Sequence, residues 1–362
     1  MKRVFAILVV LTLVLSLFSG CGPANSQLPE DEGAESSESR EVTDMAGRQV
    51  LIPNKVASAF STGAAGTILL YTIDPDLLVG VNYDFIEEEK EYLVSGVEGL
   101  PAYGQGGGIN LEALMAAAPD ICISYGSLSE KEIDNANTMQ EQTGIPFIVI
   151  DGSLGSAAEA YRFIGEVLNM QERCEELALY AESALSFAES LDIPAKDRIS
   201  VYFGNGHESL ETAPLGSPHA ELFDLVDANN VAVVNEVENT AARIDISAEQ
   251  IIGWDPEVII INGEPTKDLS SRGAADKLIS DKRYANVKAV ATDRVYPIPK
   301  YPFGWFDRPP GVNRLIGIYW LASVLYPEAA NVDINEETKS FYSSFYHLEL
   351  NQNQVDSLLG RQ

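Results

Sequence analysis

Short apolar runs alternate with stretches whose apolar residues recur every three or four positions, and this alternation persists for most of the chain. The runs VASAFSTG (56–63), LLVGVN (77–82), DICIS (120–124) and IPFIVI (145–150) read as strands of a first group. RISVYFGN (198–205), VAVV (231–234), PEVIII (256–261) and DRVYPIP (293–299) form a second. MAGRQVLIP (45–53) reads as a turn and an edge strand. Helical spacing marks AAGTILLYTI (64–73), SPHAELFDLVDA (217–228), AADKLISD (274–281), PPGVNRLIGIYWLASVLYP (309–327) and the chain's end. Strands alternating with helices predict two mostly parallel α/β sandwich lobes with a ligand cleft between them. Between the groups, residues 156–191 hold no proline and one glycine, Gly165. Their apolar spacing predicts a shorter helix, a break near Asn169, and a helix from Gln171 to Leu191. About twenty helical residues span about 30 Å, enough for a stiff connector. The expected layout is a first lobe over 42–155, connecting helices over 156–192 and a second lobe with terminal helices over 193–362.

Two distant segments repeat one design: INLEALMAAAPDICIS (109–124) and ISAEQIIGWDPEVIII (246–261). Each begins with a small polar residue, Asn110 or Ser247, suited to cap a helix. A glutamate two positions on, Glu112 or Glu249, falls in the first turn, where the helix dipole favours negative charge. Pro119 or Pro256 then stops the helix. An acid follows, Asp120 or Glu257, and then a strand. A unit that appears twice implies two similar lobes with an equivalent carboxylate on each.

The formal charge of −30, from 24 basic and 54 acidic residues, argues against nucleic acid and anionic lipid as partners. It suits a partner with basic docking residues. Residues 1–20 form an export leader: Lys2 and Arg3, an apolar run from Val4 to Phe18, then small residues. LFSGC resembles a bacterial lipobox, which implies cleavage before Cys21 and lipid attachment there, on the outer face of a membrane. Residues 21–41 are rich in Ser, Glu, Gly and Pro and read as a flexible tether, with folding expected from near Val42. Cys122 and Cys174 are expected as buried free thiols, with one disulfide left open.

The leader, VTDMAGRQVLIP, NLEALMAAAPDICI, the mid-chain helix and SAEQIIGWDPEVIII together resemble the substrate-binding lipoproteins of iron-siderophore and cobalamin ABC importers. FGWFDRPPGVNRLIGIYWLA (303–322) is similar to a stretch of many iron-uptake members. The resemblance implies two lobes joined by one rigid helix, and capture of a ferric siderophore or related metal chelate for delivery to a permease dimer with its ATPase. Heme and cobalamin stay open as alternatives. It also implies that Glu112 and Glu249 dock onto permease arginines, a directional charge pairing; the plain alternative is a helix-dipole role.

Ligands of open α/β sheets sit beyond the carboxyl ends of the strands. This selects Ser61, Thr62, Tyr83, Tyr103 and Tyr125 in the first lobe, and Tyr202, His207, Phe303, Trp305 and Arg308 in the second. Arg308 is suited to pair with an anionic chelate, Phe303 and Trp305 to pack on its frame, and Tyr202 and His207 to coordinate or hydrogen-bond. A secreted enzyme is the rival class. It finds little support: the chain has no G-x-S-x-G elbow and only three histidines, widely spaced.

Overall fold

A computed structural model describes residues 38–233, 243–263, 270–307 and 309–360. The segment expected as a leader, Cys21 and Arg308 lie outside the described residues. The described residues begin at Glu38, four residues ahead of Val42. Strand β1 (Ser39–Thr43) pairs antiparallel with β2 (Gln49–Pro53). Arg40 fixes this hairpin by donating to the carbonyls of Glu166 and Val167, at 2.9 and 2.7 Å. The turn between the strands is the TDMAGR segment. Asp44 there accepts from the amides of Ala46, Arg48 and Val149, and Arg48 bonds Asp44 and the carbonyl of Phe147. This motif therefore clamps the hairpin onto the edge of the first sheet.

That sheet is parallel, ordered β3 (Ala59–Ser61), β4 (Ile121–Gly126), β5 (Phe147–Asp151). Between β3 and β4 run α1 (Ala64–Ile73), α2 (Glu87–Lys90) and α3 (Leu111–Ala117), and α4 (Glu130–Thr143) leads to β5. The run 77–82 makes no strand. Asp74 and Pro75 start a 3-10 turn over Pro75–Leu77, and only isolated bridges, Ala59 with Leu78 and Val81 with Ala102, remain.

Helices α5 (Ala157–Leu168) and α6 (Gln171–Ser190) follow, broken at Asn169, which takes a left-handed backbone with φ +58°. They pack on each other closely, and Gly165 is needed because a Cβ there would come within 2.7 Å of that of Cys174. Both thiols, Cys122 and Cys174, are free and buried, and burial pushes each up to about 12.

The second sheet is built on β6 (Ser200–Asn205), which pairs antiparallel with β7 (Glu211–Thr212) and parallel with β8 (Asn229–Asn230); α7 (Glu221–Leu225) runs between those two, and β7 pairs antiparallel with β9 (Ile244–Asp245). After α8 (Ala248–Trp254), β10 (Val258–Asn262) pairs with β6, and after α9 (Ser271–Ser280) and α10 (Lys288–Ala291), β11 (Val295–Pro297) pairs with β10. The strand expected at VAVV forms earlier, at Asn229–Asn230. The Asn230 side chain stops it there by accepting from the Ala232 amide and donating to the Ala213 carbonyl. The chain closes with α11 (Arg314–Leu325), α12 (Pro327–Ala330), α13 (Ile334–Tyr346) and α14 (Gln352–Leu358).

Alternate residues of each central strand enter different cores, the period-two consequence of a pleated strand buried on both faces. Cys122, Phe147 and Val149 face one outer core, and Tyr202, Ile259 and Ile261 another. Ile121, Ile123, Ile148 and Ile150 join Val201, Phe203, Val258 and Ile260 in a single core shared by both sheets and roofed by α1, α5, α6, α11 and α13. Helix α6 packs on α11 and also touches α1 and α7.

The repeated segments fold alike. Both helices are seven residues long, capped by Asn110 on the Ala113 amide (3.1 Å) and by Ser247 on the Gln250 amide (3.3 Å). Both end on a left-handed residue, Ala118 (φ 47°, ψ 58°) and Asp255 (φ 47°, ψ 55°). The acid after each proline also has a common job. Asp120 accepts from the amides of Ala57 and Ser58, and Glu257 from the amide and hydroxyl of Ser200, so each ties the neighbouring strand's start.

These bonds hold the Glu257 carboxyl below its ordinary range, the Ser200 amide contributing most. A carboxyl with a depressed folded pKa stabilises above its unfolded pKa and loses that contribution as pH falls through the folded value. Melting temperature is therefore expected to drop less between pH 5 and pH 3 in Glu257→Gln than in the wild type. Parallel curves would remove Glu257 from the acid response.

Candidate functional site

The carboxyl ends of β3 and β4 open onto the start of α1. Ser61 is fully buried there, and its Oγ donates to the Gly63 carbonyl at 2.8 Å. Gly66 must be glycine, since a Cβ would overlap Ser61 Oγ. A buried polar chain pins the turn: Thr67 Oγ1 donates to Asn82 Oδ1 at 2.7 Å, and Asn82 Nδ2 donates to the carbonyls of Ser61 and Gly104. Helix α1 is capped by Gly63, so no side chain satisfies its first-turn amides. Thr62, Gly63 and Ala65 are only partly covered.

The second lobe meets this point through residues 309–314. A Cβ on Gly311 would lie 3.5 Å from Ala65. Arg314, 4% exposed, holds that loop by an ion pair to Glu221 (2.7 Å) and bonds to the carbonyls of Gly311 and Pro218. Beside it the nearly buried Asp307 accepts from His219 Nδ1 at 2.7 Å. Tyr125, at the end of β4, faces the same quarter: burial raises its hydroxyl pKa, and the Arg314 charge opposes that rise.

The structure therefore brings together Ser61, Thr62 and Tyr125 from the first lobe, Ser61 as a turn-former rather than a contact group. Tyr103 turns inward, edge-on to Phe60 at 5.6 Å and against Gly80. Tyr83 packs edge-on to Phe85, and burial raises its pKa.

Three second-lobe expectations are corrected. Tyr202 is fully buried in the outer core and donates to the Ser209 carbonyl. Its position in β6 points it away from the shared core. Phe303, 3% exposed, packs edge-on to Tyr71 and Tyr346, and Trp305 is completely buried, its Nε1 donating to Tyr342 Oη. Both belong to the segment that α11 and α13 cover. His207 is exposed and bonded to Lys277. Arg308 lies outside the described residues.

Sequence reasoning did not select Thr67, Asn82, His219, Asp307 or Arg314. Asn82 closes an apolar run, and Asp307 and Arg314 flank the double proline; these polar residues in apolar settings were the available signal. Glu112 and Glu249 are both exposed in first turns, away from these buried contacts. Among the described residues no cluster of His, Cys, Asp and Glu could hold a metal ion, and no helix is long and apolar enough to cross a membrane.

A family model described as periplasmic binding protein matches residues 87–302. An ABC transporter solute binding protein from Sulfurospirillum deleyianum superposes with a TM-score of 0.77 at 30% identity, over 89% of this chain and 99% of that one. The molybdate-binding protein MolA of Haemophilus influenzae is 25% identical over 342 residues, 85% of this chain and 91% of its own length. The structure of MolA bound to molybdate shares the fold, with a TM-score of 0.69 at 22% identity, over 86% of this chain and 99% of that one.

Proposed function

Because this chain belongs to the periplasmic binding protein family of ABC importers, we propose that it captures a metal oxyanion of the molybdate class between its lobes. The observation that carries this reading is the start of α1, where amides left without a capping side chain meet the loop held by Arg314. Backbone N–H groups at a helix N-terminus suit a compact dianion that offers only acceptor oxygens. The curated relative named for molybdate binding supports the same ligand class.

A ferric siderophore is the competing cargo. It drew on Tyr202, Phe303 and Trp305 as an aromatic and coordinating wall, and all three are buried in cores. Titration calorimetry of the mature protein against molybdate, tungstate, sulfate, a ferric catecholate, heme and cobalamin separates the cargoes. Submicromolar binding of molybdate or tungstate is expected. Tight binding of a chelate with no oxyanion binding would return the ferric reading and leave the family assignment untouched.

Delivery follows through Glu112 and Glu249, which engage basic residues on the two halves of the permease. A lipid on Cys21 holds the protein at the outer membrane face. Labelled palmitate is expected in the wild type and absent from Cys21→Ser; label in both would place the lipid elsewhere.

A further inference from the structure

The two repeat copies match beyond their glutamates. Two residues after each glutamate, Leu114 and Ile251 point inward and are fully buried. The next residue points out in both copies: Met115 is 42% exposed and Ile252 44%. Other large apolar side chains are exposed among the described residues, but these two alone occupy equivalent places in the repeat. The residues that follow, Ala116 and Gly253, are small and exposed, which permits close approach.

On a helix, residues three apart share a face. Each copy thus presents a carboxylate beside an apolar knob. The equal helix lengths and matching end geometry described above give the two patches one shape. One chain carrying the same patch twice fits a partner that carries the same receptor twice, as a two-fold assembly does. An exposed apolar side chain gains when a partner removes it from water, and such anchors dominate interface energies while flanking charges act more on encounter.

We propose that Met115 and Ile252 are apolar anchors that seat in two equivalent apolar sockets of a two-fold membrane permease, each beside the basic residue that meets Glu112 or Glu249. This rests on the docking role proposed for those glutamates.

The test measures binding of the full ligand-loaded chain to its permease–ATPase complex in nanodiscs, at low and high salt. Met115→Ser and Ile252→Ser are each expected to weaken binding about tenfold, mainly through faster dissociation and at both salt levels. The double variant should lose more than either. Met115→Leu and Ile252→Leu should bind like the wild type. Ligand affinity and melting temperature should hold in all four single variants, since both side chains already stand partly in solvent. Glu112→Gln and Glu249→Gln should instead lose affinity chiefly at low salt.

Serine variants that bind normally while the glutamine variants weaken would overturn the anchors and spare the docking reading. Serine variants that weaken while the glutamine variants bind normally would support the anchors and remove the charge pairing. Normal binding by every variant would overturn both.

Discussion

Trp305→Ala is expected to destabilise the protein by about 3–5 kcal/mol, the range for emptying a large aromatic site in a packed core. The indole is completely buried, and its ring lies 6.3 Å from that of Tyr342, whose hydroxyl accepts its N–H. The backbone is fixed as well. The Trp305 amide donates to the Pro299 carbonyl at 3.0 Å, and its own carbonyl fills the space that a Cβ on Gly317 would need. Truncation would leave a cavity that this held loop cannot collapse to fill. Urea unfolding with tryptophan or tyrosine fluorescence measures the loss. Trp305→Phe, which keeps a ring but not the hydrogen bond, should cost clearly less. An alanine variant that unfolds at the wild-type midpoint and binds ligand weakly would put Trp305 back in the cleft.

Glu112→Ala combined with Glu249→Ala is expected to cut uptake about a hundredfold or more while ligand affinity is unchanged. Removing one partner of a hydrogen-bonded charge pair costs about 2–5 kcal/mol where the contact is desolvated, and the double variant breaks two such contacts. Both carboxylates stand exposed in first turns, and neither side chain has a partner among the hydrogen bonds and ion pairs that hold the α1 and Arg314 region together. Radiolabelled uptake in cells with the permease, paired with titration of the purified variant, separates the two steps. Lost ligand affinity with normal uptake at saturating ligand would assign the glutamates to the cleft.

Much of the architecture was legible because buried parallel strands announce themselves. ICIS, FIVI and VIII are apolar on both faces, and caps and prolines bracket the repeat helices. Helix α4 was not legible, because Ala136 is its only buried residue and its capping pair, Ser129 and Gly144, is the main trace it leaves. The strand at Asn229–Asn230 was missed for the opposite reason: polar residues pair where the apolar VAVV promised to, since Asn230 spends its amide on a turn.

The site was half legible. Position beyond strand ends marked Ser61, Thr62 and Tyr125, which the fold gathers near the start of α1. Residue type misled for Phe303 and Trp305, since an aromatic suited to a ligand is equally suited to a core. Burial alone decides between the two, and it depends on α11 and α13, which arrive later in the chain. Thr67 and Asn82 were missed because their value lies in pairing across fifteen residues, a relation that local pattern does not carry.

The way the chain's end returns to its beginning has a consequence for synthesis. Tyr71 in α1 donates to the Tyr346 carbonyl, His347 bonds the Tyr71 carbonyl, and Tyr92 donates to the Gln354 carbonyl. The side of α1 that meets α13 therefore stays uncovered until residues 341–355 have been made. A nascent chain lacking them has no finished core to fold around, and contacts of such long sequence separation form slowly. A truncation of the last twenty or so residues is therefore expected to loosen α1, nearly three hundred residues away in sequence.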